Sequence, residues 1–221
     1  MALHFEPYVD QLPHWPAAGR HILAQFDEES VIVYQAYRPE IGLYAARHGT
    51  FGGGFSFSRM TWIKPNFLWM MFRSGWGTKE GQEVTLAIRV RRSGFETILR
   101  EAIPSSFAPG FFASEQAWQA AVAASSVRLQ WDPDHDPSGA PLERRAIQLG
   151  LRGDALRHFA NDCILSIEDV SEFVASQRSR SRAELLLPRE RVYPVSTEQC
   201  STLGMARSDT TLSNGTEKGD E

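Results

Sequence analysis

Residues 59–76, with the sequence RMTWIKPNFLWMMFRSGW, form the densest apolar and aromatic stretch of this chain. Pro65 suits a first helical position and Gly75 suits a helix end, so we expect a helix over 65–74. Because this helix is apolar nearly all round, it resembles one that is buried in a core. The stretch therefore predicts the centre of a globular domain.

Periodic patterns on both sides of this helix predict the elements that surround it. Strands are expected at 21–26, 31–37, 84–91, 127–131 and 145–151. Shorter helices are expected at 39–47, 95–102, 114–124, 154–159 and 170–178. Strands in hairpins with helices between them favour an α+β fold, with a mixed, mostly antiparallel sheet and helices packed on it.

The length of 221 residues fits one domain with an appendage. We expect an N-terminal arm at 1–12, a single globular domain at 13–191 and a disordered tail at 192–221. The stretch after residue 195 is rich in Ser and Thr and lacks apolar periodicity. No apolar stretch approaches the roughly 20 residues of a membrane span, and no signal peptide is visible. These features predict a cytoplasmic or nuclear protein without a membrane partner.

Charge and cysteine content exclude several classes of function. The net charge of −4 gives no global reason to bind DNA or RNA, although a local basic patch stays open. The two cysteines imply neither a disulfide framework nor a zinc site. The motifs GxGxxG, GxxxxGK[ST], GxSxG and HExxH are missing, which disfavours Rossmann, P-loop, hydrolase and zinc-protease chemistry.

The aromatic stretch mixes indoles with polar and cationic side chains. Its candidate residues are Arg59, Trp62, Lys64, Asn66, Trp69 and Arg73. An unpaired buried charge is costly, so these cations need partners. One interpretation is a pocket in which indoles stack on a base and cations neutralise phosphate. The other is a core helix whose cations pair with internal carboxylates such as Asp132.

An acidic loop follows the strand expected at 127–131. Asp132, Asp134 and Asp136 match the first positions of a calcium loop, but Pro137 occupies the position that requires glycine. We therefore predict no metal site. His135, flanked by carboxylates, is a candidate acid or base, and the alternative is an ordinary surface loop.

Two further strands carry polar candidates. Arg144, Gln148 and Gly150 share one strand face, opposite Ile147 and Leu149. If this strand pairs with the one at 127–131, a polar sheet face results, and such a face either binds a ligand or is simply solvated.

Gln35 is a polar residue in the otherwise apolar strand at 31–37. A buried glutamine side chain needs hydrogen-bond partners or a ligand.

The strings at 59–76, 130–135 and 144–153 together are similar to the domain-of-unknown-function family numbered 4291, from about Trp15 to the region of Glu190. This resemblance implies a shared fold and brings no activity or catalytic residues. The order of elements also resembles the ADP-ribosyltransferase-like fold. There, residues 34–37 would occupy the strand that carries an NAD-contacting residue. Gln35 replaces the usual His or Arg, and no catalytic Glu is placed.

We interpret the chain as an enzyme that acts on a nucleotide-containing or phosphorylated substrate, such as NAD or an RNA end. A transferase of the ADP-ribosyl or phosphotransfer type is one form of this hypothesis. No cofactor is assigned, and NAD enters only as a substrate. The alternative is a non-catalytic module that binds a nucleotide or a nucleic-acid end.

Each candidate residue has an expected role in this hypothesis. The predicted catalytic residues are Asp132 and His135, which would transfer protons. The predicted substrate-binding residues are Gln35, Arg59, Trp62, Lys64, Asn66, Trp69, Arg73, Arg144 and Gln148. Among them, the indoles would stack on the base, the cations would hold phosphate and the glutamines would orient the substrate.

Overall fold

The computed structural model describes residues 2–107 and 111–205 and has the predicted α+β class. Its strands are β1 (Phe5–Pro7), β2 (Gly19–Arg20), β3 (Leu23–Ala24), β4 (Ser30–Tyr37), β5 (Thr61–Ile63), β6 (Val84–Arg91), β7 (Ile103–Pro104), β8 (Val127–His135), β9 (Pro141–Leu151), β10 (Ile164–Asp169), β11 (Leu186–Pro188) and β12 (Arg191–Val192). Its α-helices are α1 (Tyr8–Gln11), α2 (Pro39–His48), α3 (Phe67–Ser74), α4 (Arg92–Arg100), α5 (Glu115–Ala124), α6 (Gly153–His158), α7 (Ser171–Gln177) and α8 (Thr197–Leu203). A 3-10 turn (Leu12–His14) follows α1, and a π-helical turn (Phe159–Cys163) follows α6.

Two sheets organise the domain. One is three-stranded and antiparallel, in the order β10-β6-β4. The other is five-stranded, in the order β2-β9-β8-β7, with β5 also paired to β9. The sheets meet where Tyr34 and Lys64 exchange backbone hydrogen bonds of 2.7 and 3.2 Å. This junction places the chain after β5 beside the middle of β4.

The main hydrophobic core lies between the inner faces of the two sheets. Val33 on β4, Ile88 on β6 and Leu149 on β9 are fully buried there, as alternation predicts. A second cluster covers the outer face of β4, where Phe67 and Met71 of α3 pack on Tyr34. The helix predicted from the aromatic stretch is therefore a core helix, because most of its residues are buried.

Local sequence explains where α3 begins and ends. Asn66 is its N-cap and accepts a 2.6 Å hydrogen bond from the Trp69 amide. Gly75 ends it in the left-handed region, at φ 57°. The expected start at Pro65 is corrected, since the helix begins at Phe67 and Pro65 precedes the cap.

The globular domain begins earlier in the chain than residue 13, where the sequence predicts its start. β1 pairs antiparallel with β11, so the expected arm is part of the fold. Tyr8 and Gln11 are buried, and Gln11 donates hydrogen bonds to the carbonyls of Leu187 and Pro188. Three-residue strands give no readable periodicity, which explains why the sequence does not reveal this pairing.

The domain also extends past residue 191, where the sequence predicts a disordered tail. β12 pairs with β3, and Tyr193 is buried. A capping box at Ser196 opens α8, and the indole of Trp131 donates to the Leu203 carbonyl at 2.8 Å. The corrected boundary lies at or beyond Met205, and the remainder of the predicted tail, 206–221, lies outside the described residues.

Two further features complete the fold. β10 pairs with β6 and was not among the expected strands, because its apolar run is short. Within residues 2–107 and 111–205, no helix is both long and apolar enough to cross a membrane.

Candidate functional site

One face of the five-stranded sheet is polar, as the alternation on β9 predicts. Gln130 on β8 lies directly opposite Gln148 on β9. Trp62 on β5 lies opposite Gly150, two positions further along β9. Because side chains alternate along strands, these residues and Asp132 face away from the main core. We call this surface the polar sheet face.

The Asp132 carboxylate at its centre is held by two amides. Gln130 donates to Oδ1 at 2.8 Å, and Gln148 donates to Oδ2 at 2.7 Å. Two fixed donors orient an acceptor-only group and leave its remaining lone pairs for a third partner. Gln148 therefore positions Asp132, and Gln130, which sequence reasoning did not select, does the same.

Lys64 follows β5 on the same face and is almost completely buried, with 7% of its surface exposed. Burial and then the nearby Arg73 guanidinium lower the pKa of Lys64 from 10.5 to about 8, while Asp132 acts in the opposite direction. Among the described residues, no carboxylate lies within ion-pairing distance of its amine. The amine is thus neutral in a substantial fraction of molecules near neutral pH.

Arg73 is the second cation of this face and lies in the last turn of α3. Its side chain is exposed, and within residues 2–107 and 111–205 it also forms no ion pair. The two neighbouring cations repel each other, and the nearby Asp132 offsets this repulsion only in part, so this place favours a further anion. The electrostatics match a phosphate or carboxylate group of a ligand.

Trp62 forms one end of the polar sheet face. A Cβ atom added to Gly150 would lie 3.1 Å from two atoms of the Trp62 indole and 2.7 Å from the Met60 sulfur. The missing side chain therefore lets the indole and the thioether settle against the backbone of β9. The half-buried indole offers a flat apolar surface beside the cations.

Arg144, predicted to bind substrate, is instead saturated by protein groups. Its Nε and Nη2 atoms donate to Asp134 Oδ2 at 2.7 and 2.6 Å, and Nη1 donates to the Pro16 carbonyl. The guanidinium also lies 5.3 Å from the ring centroid of Trp15. Burial raises the pKa of Asp134, and the Arg144 charge partly offsets this effect. The pair fastens β8 and β9 to the N-terminal segment.

Asn66, a second predicted ligand residue, has structural partners as well. Besides capping α3, it donates to Glu190 Oε2 at 3.1 Å. Oε1 of this glutamate accepts the Phe67 amide at 2.6 Å. Burial raises the pKa of Glu190 well above its usual value, against the two hydrogen bonds that lower it. Sequence reasoning missed Glu190, and no local pattern marks it.

Trp69 and His135 form a stack with Phe72 beneath the polar sheet face. The His135 ring lies parallel to Phe72, with centroids 3.5 Å apart, and to Trp69 at 5.4 Å. Burial lowers the pKa of His135, although Asp134 and two other nearby carboxylates raise it. This placement gives both residues a packing role between α3 and β8, and it leaves Asp132 as the more accessible acid or base.

Gln35 and Arg59 lie on the other side of β5. Gln35 donates to the Thr61 hydroxyl at 2.7 Å and to the Trp62 carbonyl at 3.2 Å. Tyr37 shares the same hydroxyl at 2.7 Å. Thr61 also lines a cavity of about 370 Å³ together with the exposed Arg59. Met60 contributes to this cavity and to the contact with Gly150, so the cavity adjoins the Trp62 end of the polar sheet face.

The structure thus sorts the predicted site residues into three groups. Trp62, Lys64, Arg73, Asp132 and Gln148 meet on the polar sheet face. Asn66, Trp69, His135 and Arg144 are packed against or bonded to protein groups. Gln35 is bonded to Thr61, and Arg59 borders the adjoining cavity. Tyr37 and Thr61 are not among the site residues predicted from the sequence. A hydroxyl group in an otherwise apolar strand nevertheless indicates a candidate polar contact.

Comparison with protein-family models identifies the family of this chain. A family model described as "Domain of unknown function (DUF4291)" matches residues 21–193. No curated protein matches the chain. Within residues 2–107 and 111–205, no group of three or more His, Cys, Asp or Glu side chains is arranged to hold a metal ion.

Proposed function

This chain belongs to the domain-of-unknown-function family DUF4291, and from its geometry we propose that it is an enzyme that acts on a nucleotide-containing or phosphorylated substrate. The substrate binds on the polar sheet face, with its phosphate between Lys64 and Arg73. The proposal rests on this chain's own side chains, because the family description names no activity.

The observation that carries the proposal is the unpaired state of these two cations. Lys64 and Arg73 act on each other electrostatically, yet neither forms an ion pair within the described residues. The desolvation of a buried amine is costly, and protein groups here do not offset that cost. A phosphate would offset it, because charge-assisted hydrogen bonds are among the stronger ones in proteins.

Neighbouring side chains fit the rest of such a substrate. The Trp62 indole supplies a face on which a base can stack. Asp132, oriented by two glutamine amides, is placed to accept or return a proton. The cavity bordered by Arg59 lies at the Trp62 end and gives an extended ligand such as NAD a second polar region.

Binding assays on paired arginine variants test the proposal. Thermal shift and calorimetry are measured with NAD, ATP, ADP-ribose and 5′-phosphorylated RNA, since a ligand that binds the folded state raises its stability. Arg73→Ala should weaken binding by about 1.5–3 kcal/mol, which is on the order of tenfold to a hundredfold in Kd. Arg47→Ala is the matched control, because Arg47 also lies in the last turn of a helix.

Three outcomes separate the alternatives. Binding that weakens in Arg73→Ala and not in Arg47→Ala, together with product formation, supports the enzyme. Binding with the same pattern but without turnover of any substrate in the panel favours the non-catalytic module. If no member of the panel binds, or if both variants bind as the wild type does, the anion site is refuted.

A further inference from the structure

We propose that Lys64 is a nucleophile that forms an imine with an aldehyde or ketone carried by a phosphorylated substrate. This inference deepens the proposed function, because it assumes that the phosphate of the same substrate occupies the place beside Arg73. The substrate class is then a phosphorylated carbonyl compound, for example a sugar phosphate in its open-chain form.

The position of the Lys64 side chain is the first support. The chain between β5 and α3 is fixed on both sides, by the backbone bridge from Lys64 to Tyr34 and by the Asn66 cap. The side chain is thereby buried beside the polar sheet face, with only 7% exposed. A lysine that serves solubility would extend into solvent, whereas this amine is held inside the protein near Arg73 and Asp132.

The state of the amine is the second support. The charged groups that act on it are Arg73 from α3 and Asp132 from β8. Burial and Arg73 together lower the pKa of Lys64 to about 8. A lysine becomes a useful nucleophile when desolvation or a neighbouring cation lowers its pKa in this way. At pH 7.5 roughly a quarter of the molecules then carry the neutral amine, against about a thousandth for an ordinary lysine.

The reaction balances with the groups present. The neutral Nζ of Lys64 adds to the carbonyl carbon, which forms the C–N bond and moves the π electron pair onto oxygen. This oxygen takes up both amine protons, one of them by way of the Asp132 carboxylate, and leaves as water. A C=N imine remains, and hydrolysis by the reverse path releases the amine.

Arg73 gives the reaction its preference for a phosphorylated substrate. Its exposed guanidinium is the unpaired cation beside the amine, so a phosphate held there brings the carbonyl carbon close to Lys64. The same charge adds to the effect of burial and lowers the pKa of the amine, which enlarges its neutral fraction before the substrate arrives. One residue therefore recruits the anion and activates the nucleophile.

Reductive trapping tests the proposal with the intact chain. The protein is incubated with pyridoxal 5′-phosphate or with pyridoxal, reduced with borohydride, and digested for mass spectrometry. The chain has only three lysines, Lys64, Lys79 and Lys218, so adducts are assigned without ambiguity. Because pyridoxal is mostly an internal hemiacetal, labelling of Lys64 is divided by that of the exposed Lys79. We expect this ratio to be at least about tenfold higher with the phosphorylated aldehyde than with pyridoxal, which is the order of one charge-assisted contact.

Variants and a pH series provide the controls. Lys64→Arg keeps the charge and should lose the adduct, and Lys79→Arg should keep it. Labelling of Lys64 should be half-maximal near pH 8 and level off about one pH unit higher. Labelling of Nα-acetyl-lysine amide, measured in parallel, should be half-maximal only at about pH 10. Circular dichroism of Lys64→Arg and Lys64→Met establishes that each variant is folded.

The outcomes distinguish this inference from the proposed function. If Lys64 is not labelled at any pH while the panel of phosphorylated ligands still binds, Lys64 is not a nucleophile, and the anion site proposed above remains. An equal ratio of Lys64 to Lys79 labelling with both aldehydes, unchanged in Arg73→Ala, supports the nucleophile and refutes the phosphate site. If labelling of Lys64 follows the pH profile of Nα-acetyl-lysine amide, the pKa of Lys64 is not lowered and the amine is not activated.

Discussion

The buried carboxylate of Glu190 accepts a 2.6 Å hydrogen bond from the backbone amide of Phe67, which lies 123 positions earlier in the chain. The Phe67 amide belongs to the first turn of α3, where backbone donors have no partner within the helix. Glu190 supplies that partner and also binds the cap residue Asn66. A residue near the C-terminal end of the domain thus fixes the helix that carries Arg73.

Removal of this carboxylate should destabilise the domain. Glu190→Ala leaves the Phe67 amide and the Asn66 amide group buried without their acceptor, at about 1–3 kcal/mol for each unsatisfied donor. We expect urea unfolding to show a total loss of about 2–6 kcal/mol. Glu28→Ala removes an exposed glutamate and should change stability by no more than about 0.5 kcal/mol. Equal effects of the two substitutions would show that Glu190 does not hold α3.

Trp69 should stabilise the domain through the packing of its aromatic ring and not through a hydrogen bond of its indole nitrogen. The ring is 4% exposed and stacks on Phe72, so Trp69→Ala should cost about 3–5 kcal/mol. The Nε1 atom has no hydrogen-bond partner within the described residues, and Trp69→Phe keeps the stack. We expect chemical denaturation of Trp69→Phe to show a loss below about 1.5 kcal/mol. A larger loss in the Phe variant than in the Ala variant would contradict this packing.

The Lys64 amine should make stability depend on pH in the weakly basic range. Its pKa in the folded state is about 8, below the ordinary value of 10.5, so the unfolded chain binds more protons between these values. The free energy of unfolding should therefore increase with pH across this window, by about 1 kcal/mol between pH 7 and pH 9.

The free energy of unfolding of Lys64→Met should lack this increase with pH. Subtracting the pH dependence of Lys64→Met from that of the wild type removes the contributions of the other titratable groups. Lys79→Met shortens an exposed lysine in the same way and should follow the wild type. Urea midpoints measured at several pH values provide the comparison. A parallel pH dependence in wild type and Lys64→Met would mean that the Lys64 amine titrates alike in both states.

Truncation should separate the two halves of the segment predicted as a tail. A chain that ends at Val192 loses Tyr193 and Leu203, which are both buried, and leaves the Trp131 indole without its carbonyl partner. We expect its melting temperature to decrease by at least about 6 °C, as a loss of roughly 3 kcal/mol or more implies for a domain of this size. Deletion of 206–221 should leave the melting temperature unchanged, because that sequence lacks apolar periodicity. Similar melting temperatures for both truncations would show that α8 does not stabilise the domain.

The sequence by itself determined the elements whose signal is local. Alternation identified β6, β8 and β9, and a β-prone apolar run identified β4. Alternation also placed Gln148 and Ile147 on opposite faces of β9 before any partner strand was known. A side-chain cap identified the start of α5 at Ser114. These features follow from the geometry of neighbouring residues on one strand or one helical turn, which the order of residues states directly.

Only the tertiary structure decided which polar groups stay available for a ligand. Asn66 and Lys64 look equally suitable in the sequence, yet Asn66 is bound by Glu190, at a separation of 124 positions, while Lys64 has no such partner in the described residues. In the same way, Asp134 pairs with Arg144, while Arg73 forms no ion pair within the part of the chain that the structure describes. Pairing depends on which strands and helices meet in space, and burial makes each unpaired charge costly. Local periodicity reveals neither the pairing partner of a charged side chain nor the burial of that side chain. The chemistry of the polar sheet face therefore became visible only in the folded chain.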